Sequence, residues 1–96
     1  MSYDVVFTVE SEETFDLISA QLLEKFGLDT LIKFQNLTSS SVQKIGANPF
    51  LYQIIEENNQ IRKCLVHKNC SIFFQVNGSK ILIICFWDNR QDPIFK

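Results

Sequence analysis

Between Ile61 and Trp87 the chain carries three strand-like runs, and these constrain the fold more than any other feature. The first, Ile61–His67, mixes Ile61, Cys64, Leu65 and Val66 with Arg62 and Lys63. The second, Cys70–Val76, alternates, with Ile72, Phe74 and Val76 on one face and Phe73 and Gln75 on the other. The third, Lys80–Trp87, is apolar on both faces, the pattern of a central strand covered on both sides. Asn77-Gly78 separates the second run from the third. That dipeptide tolerates positive φ at both central positions of a two-residue turn, so it predicts a tight hairpin. Hydrophobicity then stops at Asp88-Asn89-Arg90-Gln91-Asp92-Pro93. A greasy strand thus delivers a polar, Arg-bearing segment to one end of a sheet.

The first half reads differently. Tyr3–Val9 alternates as a first strand, with Val5, Phe7 and Val9 on one face. Ser11 is a suitable N-cap, and Glu12 and Glu13 put negative charge where a helix dipole favours it. Phe15, Ile18, Leu22 and Phe26 recur at spacings of three and four, the stripe of an amphipathic helix that Gly27 can cap. Asp29 can cap a second helix carrying Leu31, Phe34, Leu37, Val42 and Ile45, locally weakened by Thr38-Ser39-Ser40-Ser41 and ended by Asn48-Pro49. Two stripes this close in sequence predict an antiparallel helical pair. Residues 48–60 read as a connecting loop whose Phe50, Leu51, Tyr52, Ile54 and Ile55 should pack back onto the domain.

Ninety-six residues, 46% of them hydrophobic and nine of them Phe, suffice for one domain over residues 1–96 with a modest core. They exclude a disordered chain. The formal charge is −2, with 9 basic residues against 11 acidic ones, so a nucleic-acid surface could arise only by local clustering. Some clustering exists. Arg62, Lys63, His67, Lys68, Lys80 and Arg90 fall in the C-terminal sheet, whereas Glu10, Glu12, Glu13, Asp16 and Glu24 fall in the helical half. The opening MSYDVVFTVESEE has neither the basic region nor the long apolar core of a signal peptide, and no apolar run is long enough for a bilayer span. Cys64, Cys70 and Cys85 are then reduced thiols of a cytoplasmic protein. Cys64-x-x-His67 with Cys70 offers no fourth ligand, so the expectation is core thiols and a surface histidine, with no metal and no cofactor.

The order Ile61-Arg62-Lys63, Ser71-Ile72-Phe73-Phe74-Gln75-Val76, Asn77-Gly78 and Phe86-Trp87-Asp88-Asn89-Arg90-Gln91-Asp92-Pro93 resembles the RelE/ParE superfamily of bacterial toxins. The last stretch is similar to a branch known as plasmid-stabilisation toxins. The resemblance implies an α+β fold: an N-terminal helical hairpin on one face of a small, twisted, mainly antiparallel sheet, with the first strand at an edge.

In the mRNA-cleaving members of that family, basic side chains on the sheet stabilise a phosphate transition state, and an acid–base group near the C-terminus moves a proton. Lys68 falls where one catalytic Lys is expected, but Val66 stands in place of its strand partner. Ser71 falls where the central Arg is expected. Arg90 matches the C-terminal Arg with a one-residue shift, and Phe95, which follows, cannot transfer a proton. An interferase would therefore rely on Arg90, Lys68, Arg62 and His67, the imidazole serving as proton shuttle.

The ParE-like branch, which acts on DNA gyrase by binding, needs no acid–base set and resembles these departures better. The resemblance implies a type II toxin–antitoxin toxin with a cognate antitoxin protein as partner. It implies gyrase or the ribosome with its mRNA as target, and no membrane or small-molecule cofactor. Phe73, Phe86, Trp87, Asp88 and Arg90 are the expected target- or antitoxin-binding residues. Each has an ordinary alternative: Trp87 as a core or rim anchor, Asp88 with Arg90 as a turn-stabilising pair, Arg62 as a cap on sheet carbonyls. A degenerate member kept as a non-toxic interaction domain is the third alternative.

Overall fold

The alternation of the C-terminal third resolves into three long antiparallel strands in the computed structural model, which describes residues 3–90. In chain order the elements are β1 (Asp4–Phe7), α1 (Val9–Phe26), α2 (Leu28–Ala47), a 3₁₀ turn at Pro49–Leu51, β2 (Ile54–Glu56), β3 (Ile61–His67), β4 (Cys70–Asn77) and β5 (Lys80–Asp88). One five-stranded sheet has the order β1-β5-β4-β3-β2. β1 is an edge strand parallel to β5, and the other three pairings are antiparallel. The expected α+β architecture is present: a helical hairpin packed on a mainly antiparallel sheet. The segment expected to be a plain loop contributes β2, which adds to the sheet beside β3.

Glycine makes both tight connections. Gly78 has φ +63° in the β4–β5 turn, as Asn-Gly predicts. Gly27, at φ +91°, ends α1 by donating its N–H to the Leu23 carbonyl at 3.0 Å and accepts from the Leu31 N–H at 3.3 Å to start α2. One residue joins two helices only because it can adopt that backbone. The second helix therefore begins at Leu28, with no side-chain cap, and Asp29 sits in its first turn instead of capping it. The Ser-rich stretch does not interrupt α2.

The N-cap of α1 lies three residues before the expected Ser11. Thr8 is the N-cap: its Oγ1 accepts from the Ser11 N–H at 3.1 Å, while the Ser11 hydroxyl donates to the Thr8 carbonyl at 2.7 Å. The same Thr8 hydroxyl is shared between the Ile83 and Ile84 carbonyls at 2.8 and 3.0 Å. Further along, Thr14 Oγ1 accepts the Phe86 N–H at 2.9 Å and donates to the Glu10 carbonyl. β1 pairs with β5 only as far as Ile83. Beyond that point the two threonines of α1 supply the hydrogen bonds that a longer strand would have made, as buried backbone groups require.

The main core lies between helices and sheet. Phe34 and Ile45 from α2 meet Ile72, Phe74, Ile81, Ile83 and Phe86, with Phe15, Ile18, Leu22, Leu31 and Val42 packed around them. Phe15 stacks on Phe34 at 5.4 Å and meets Phe86 edge-on at 5.1 Å. Full burial of such side chains stabilises by about 1.5–3 kcal/mol each. A smaller cluster on the other face joins Ile61, Phe73 and Cys85 with Ile55, Ile84 and Trp87. A bulge resets which β5 residues face each set: Phe73 faces Cys85 but Phe74 faces Ile83, so Ile84 is the extra residue and the alternation of β5 shifts there.

Several apolar residues expected to be covered are exposed. Phe26, Phe50, Leu51 and Val9 lie largely in solvent, and Phe7 and Leu37 are partly exposed. Thr38 takes the buried place on α2 that the stripe assigned to Leu37.

Candidate functional site

β5 ends beside the β3–β4 turn, and Asn89 ties the two together. The Asn89 N–H donates to the Asn69 carbonyl at 2.8 Å, and Nδ2 donates to the Lys68 carbonyl at 3.2 Å. Its Oδ1 accepts from the buried Ser71 hydroxyl at 2.9 Å. Ser71 is 0% exposed, so the position where the family's central Arg was expected holds a hydroxyl spent on this clamp. Nearby, Asn69 donates its own N–H to Nδ1 of His67 at 3.3 Å. That leaves Nε2 as the protonated nitrogen of the neutral ring.

Arg90 folds back on Asp88. Its Nε donates to Oδ1 at 2.9 Å and its Nη2 to Oδ2 at 2.7 Å, while its backbone N–H also donates to Oδ1. The expected turn-stabilising pair is thus present in bidentate form. These hydrogen bonds hold the Asp88 carboxyl below the usual carboxylate range against the opposing effect of desolvation, and the charge of Lys25 adds to the shift.

His67, Asn69, Cys70, Asp88 and Arg90 line one side of a cleft of about 480 Å³. The other side comes from the second half of α1 (Ile18, Leu22, Lys25, Phe26) and the first half of α2 (Thr30, Lys33, Phe34, Leu37). Phe34 and Cys70 are buried, Ile18 and Leu22 half-buried, and Lys25, Lys33, His67 and Arg90 exposed. An apolar floor therefore opens through a cationic mouth. Burial pushes the Cys70 thiol up to about 12, reinforced by the charge of Asp88, so this cysteine is a wall and not a nucleophile. Among the described residues no cluster of three or more metal-ligating side chains occurs.

The expected residues do not all converge. His67, Asp88 and Arg90 share the cleft. Lys68 lies in the β3–β4 turn but does not line it. Arg62 is elsewhere: its Nη1 donates to the Tyr52 carbonyl at 2.6 Å, and its guanidinium sits 5.1 Å from the Phe50 ring centroid. That is the ordinary carbonyl-capping role. Phe73 and Phe86 are 3% and 2% exposed on opposite faces of the sheet, so neither offers a docking surface as described. The bulge at Ile84 turns Phe86 onto the helical face, and Phe73 lies under the smaller cluster on the other face. Trp87 is half-buried, and its Nε1–H has no hydrogen-bond partner among the described residues. Asp92-Pro93 and Phe95 fall outside the described residues. Lys25 and Lys33 were not singled out by the sequence; one Lys near the end of α1 and one near the start of α2 carry no signal until the sheet end is placed opposite them.

Among solved structures, a chain from the chromosomal ParDE TA system from P. aeruginosa matches with a TM-score of 0.78 at 16% identity, over 91% of this chain and 96% of that one. A copper-bound mutant toxin from Helicobacter pylori matches with a TM-score of 0.59 at 14% identity, over 92% of this chain and 96% of that one. No family model matches the chain, and no curated protein matches it. The chain shares the fold of these two structures.

Proposed function

We propose that this protein is the toxin of a type II toxin–antitoxin module, held inactive by a cognate antitoxin and arresting growth by binding an essential target, with DNA gyrase preferred over the ribosome. The observation that carries the preference for binding over catalysis is the dispersal of the four residues an interferase would use. Arg62 is spent on the Tyr52 carbonyl and Arg90 on Asp88, and Lys68 does not line the cleft that holds His67. Charge that develops on a phosphate needs cations already aimed at one point. A binding surface has no such requirement. The likeness to a chain of a ParDE system supports the same reading.

Induced expression in a bacterial host tests it, with growth, bulk translation, mRNA integrity and DNA supercoiling followed together. The expected result is arrest with filamentation, altered supercoiling and intact mRNA. Early translation arrest with cleaved mRNA that Lys68→Ala and Arg90→Ala abolish would replace this reading with a ribosome-dependent mRNA interferase. Undisturbed growth with folded protein present would leave a non-toxic interaction domain.

A further inference from the structure

The cleft between the helical hairpin and the β3–β4 turn has the form of a small-molecule site. Its volume of about 480 Å³ lies within the range of ligand pockets, roughly 300–1,000 Å³. Phe34, Leu22 and Ile18 make its floor, and Phe26 and Leu37 extend the apolar wall into solvent. Exposing apolar surface of this kind costs free energy that an apolar ligand would recover.

Charge decides which ligand. Three cations, Lys25, Lys33 and Arg90, line the cleft against one carboxylate, Asp88, in a chain whose net charge is −2. Asp88 is already engaged by Arg90 through two hydrogen bonds. Neither Lys25 nor Lys33 makes an ion pair among the described residues, and the neighbouring acids Glu24 and Asp29 do not line the cleft. His67, its Nδ1 already accepting from Asn69, leaves Nε2 to donate at the same mouth.

We propose that this cleft binds an anionic amphiphile, with an aliphatic or aromatic tail against Ile18, Leu22 and Phe34 and a carboxylate or phosphate head between Lys25 and Lys33. The inference stands apart from the choice of toxin target. It needs only the cleft, its apolar floor and its uncompensated lysines.

Dodecanoate, dodecyl phosphate and dodecyltrimethylammonium, each below its micelle-forming concentration, are the probes for isothermal titration with the full chain. Both anions are expected to bind with one-to-one saturation, and the cation of equal chain length at least tenfold more weakly. Lys25→Glu combined with Lys33→Glu is expected to weaken dodecanoate binding by roughly tenfold or more, because two attractions beside the head group become repulsions. Both lysines are exposed, so thermal unfolding of the double variant is expected to match the parent. Lys44→Glu, on the same helix as Lys33 but outside the cleft, is the charge control and is expected to leave affinity unchanged. Equal binding of the cation, equal loss in the Lys44→Glu control, or undiminished binding by the double variant would overturn the proposal. So would absence of dodecanoate binding combined with protection of Lys25 and Lys33 from amine labelling by a co-expressed protein, which would assign the cleft to a protein segment.

Discussion

Thr14 accepts the backbone N–H of Phe86 at 2.9 Å across 72 residues of sequence, standing where β1 would continue if it were longer. Phe86 is buried, so this N–H has no recourse to water. Thr14→Val keeps the shape and removes the acceptor. The expected cost is about 1–2 kcal/mol, read by urea unfolding, with Thr14→Ser close to the parent. A Thr14→Val protein as stable as the parent would mean that α1 does not serve as the missing edge.

Gly27 is the single residue between two helices and sits at φ +91° and ψ −177°, a conformation nearly closed to residues with a Cβ. Nothing lies within 4 Å of a Cβ built there, so strain and not collision is the cost. Gly27→Ala is expected to lose about 1–3 kcal/mol. Gly78→Ala, at φ +63° in equally open space, is expected to lose less, about 1 kcal/mol. Thermal unfolding of the two variants side by side measures the order.

Asp88 has its folded-state pKa lowered, first by the hydrogen bond from Arg90. A lowered carboxylate stabilises the fold above its unfolded value and ceases to do so as pH falls through the folded one. The stability difference between the parent and Asp88→Asn is therefore expected to be constant at neutral pH. It should begin to shrink near the ordinary value of 3.8 and vanish below the lowered value. Chemical unfolding at a series of pH values reads the trend, and a difference that grows on acidification would contradict it. Because Arg90 is exposed, added salt should reduce the difference.

All three cysteines are buried, and burial pushes Cys70 up to about 12 and Cys85 to about 11, with Cys64 also raised. The reactive thiolate is then scarce at pH 8. Labelling by a thiol reagent at that pH is expected to be slow in the folded protein and fast for all three thiols in denaturant. Rapid labelling of one cysteine without denaturant would mark a local opening of its strand.

The strands of the C-terminal third were legible because each signal was local. Alternation placed Ile72, Phe74 and Val76 on one face, and Asn77-Gly78 set the turn between β4 and β5. The helices were legible as stripes, but a stripe names a face without saying what covers it. Phe26 and Leu37 continue their stripes into solvent because the sheet ends before reaching them, leaving the cleft they border. Thr8 escaped notice as the cap of α1 because Ser11 looks as good in isolation. What selects Thr8 is its second task on the Ile83 and Ile84 carbonyls, which only the tertiary fold supplies. The cleft was half visible: His67, Asp88 and Arg90 were singled out from their positions at strand ends, whereas Lys25 and Lys33 acquire meaning only when the helices cross that end of the sheet. Arg62 and Phe86 were placed on the right strands, but Arg62 is absorbed by carbonyl capping and Phe86 by a one-residue bulge.

The parallel pairing of β1 with β5 joins Asp4 to Lys80 and Phe7 to Ile83. A ribosome makes the first of these strands long before the second. Until Ile83 has emerged, β1 has no neighbour and the hydroxyls of Thr8 and Thr14 have nothing in the sheet to hold. Closing so large a loop is entropically costly, and contacts this distant in sequence slow the search. The edge that completes the sheet is thus also the last to be won during synthesis, so a nascent chain passes most of its time on the ribosome without its finished shape.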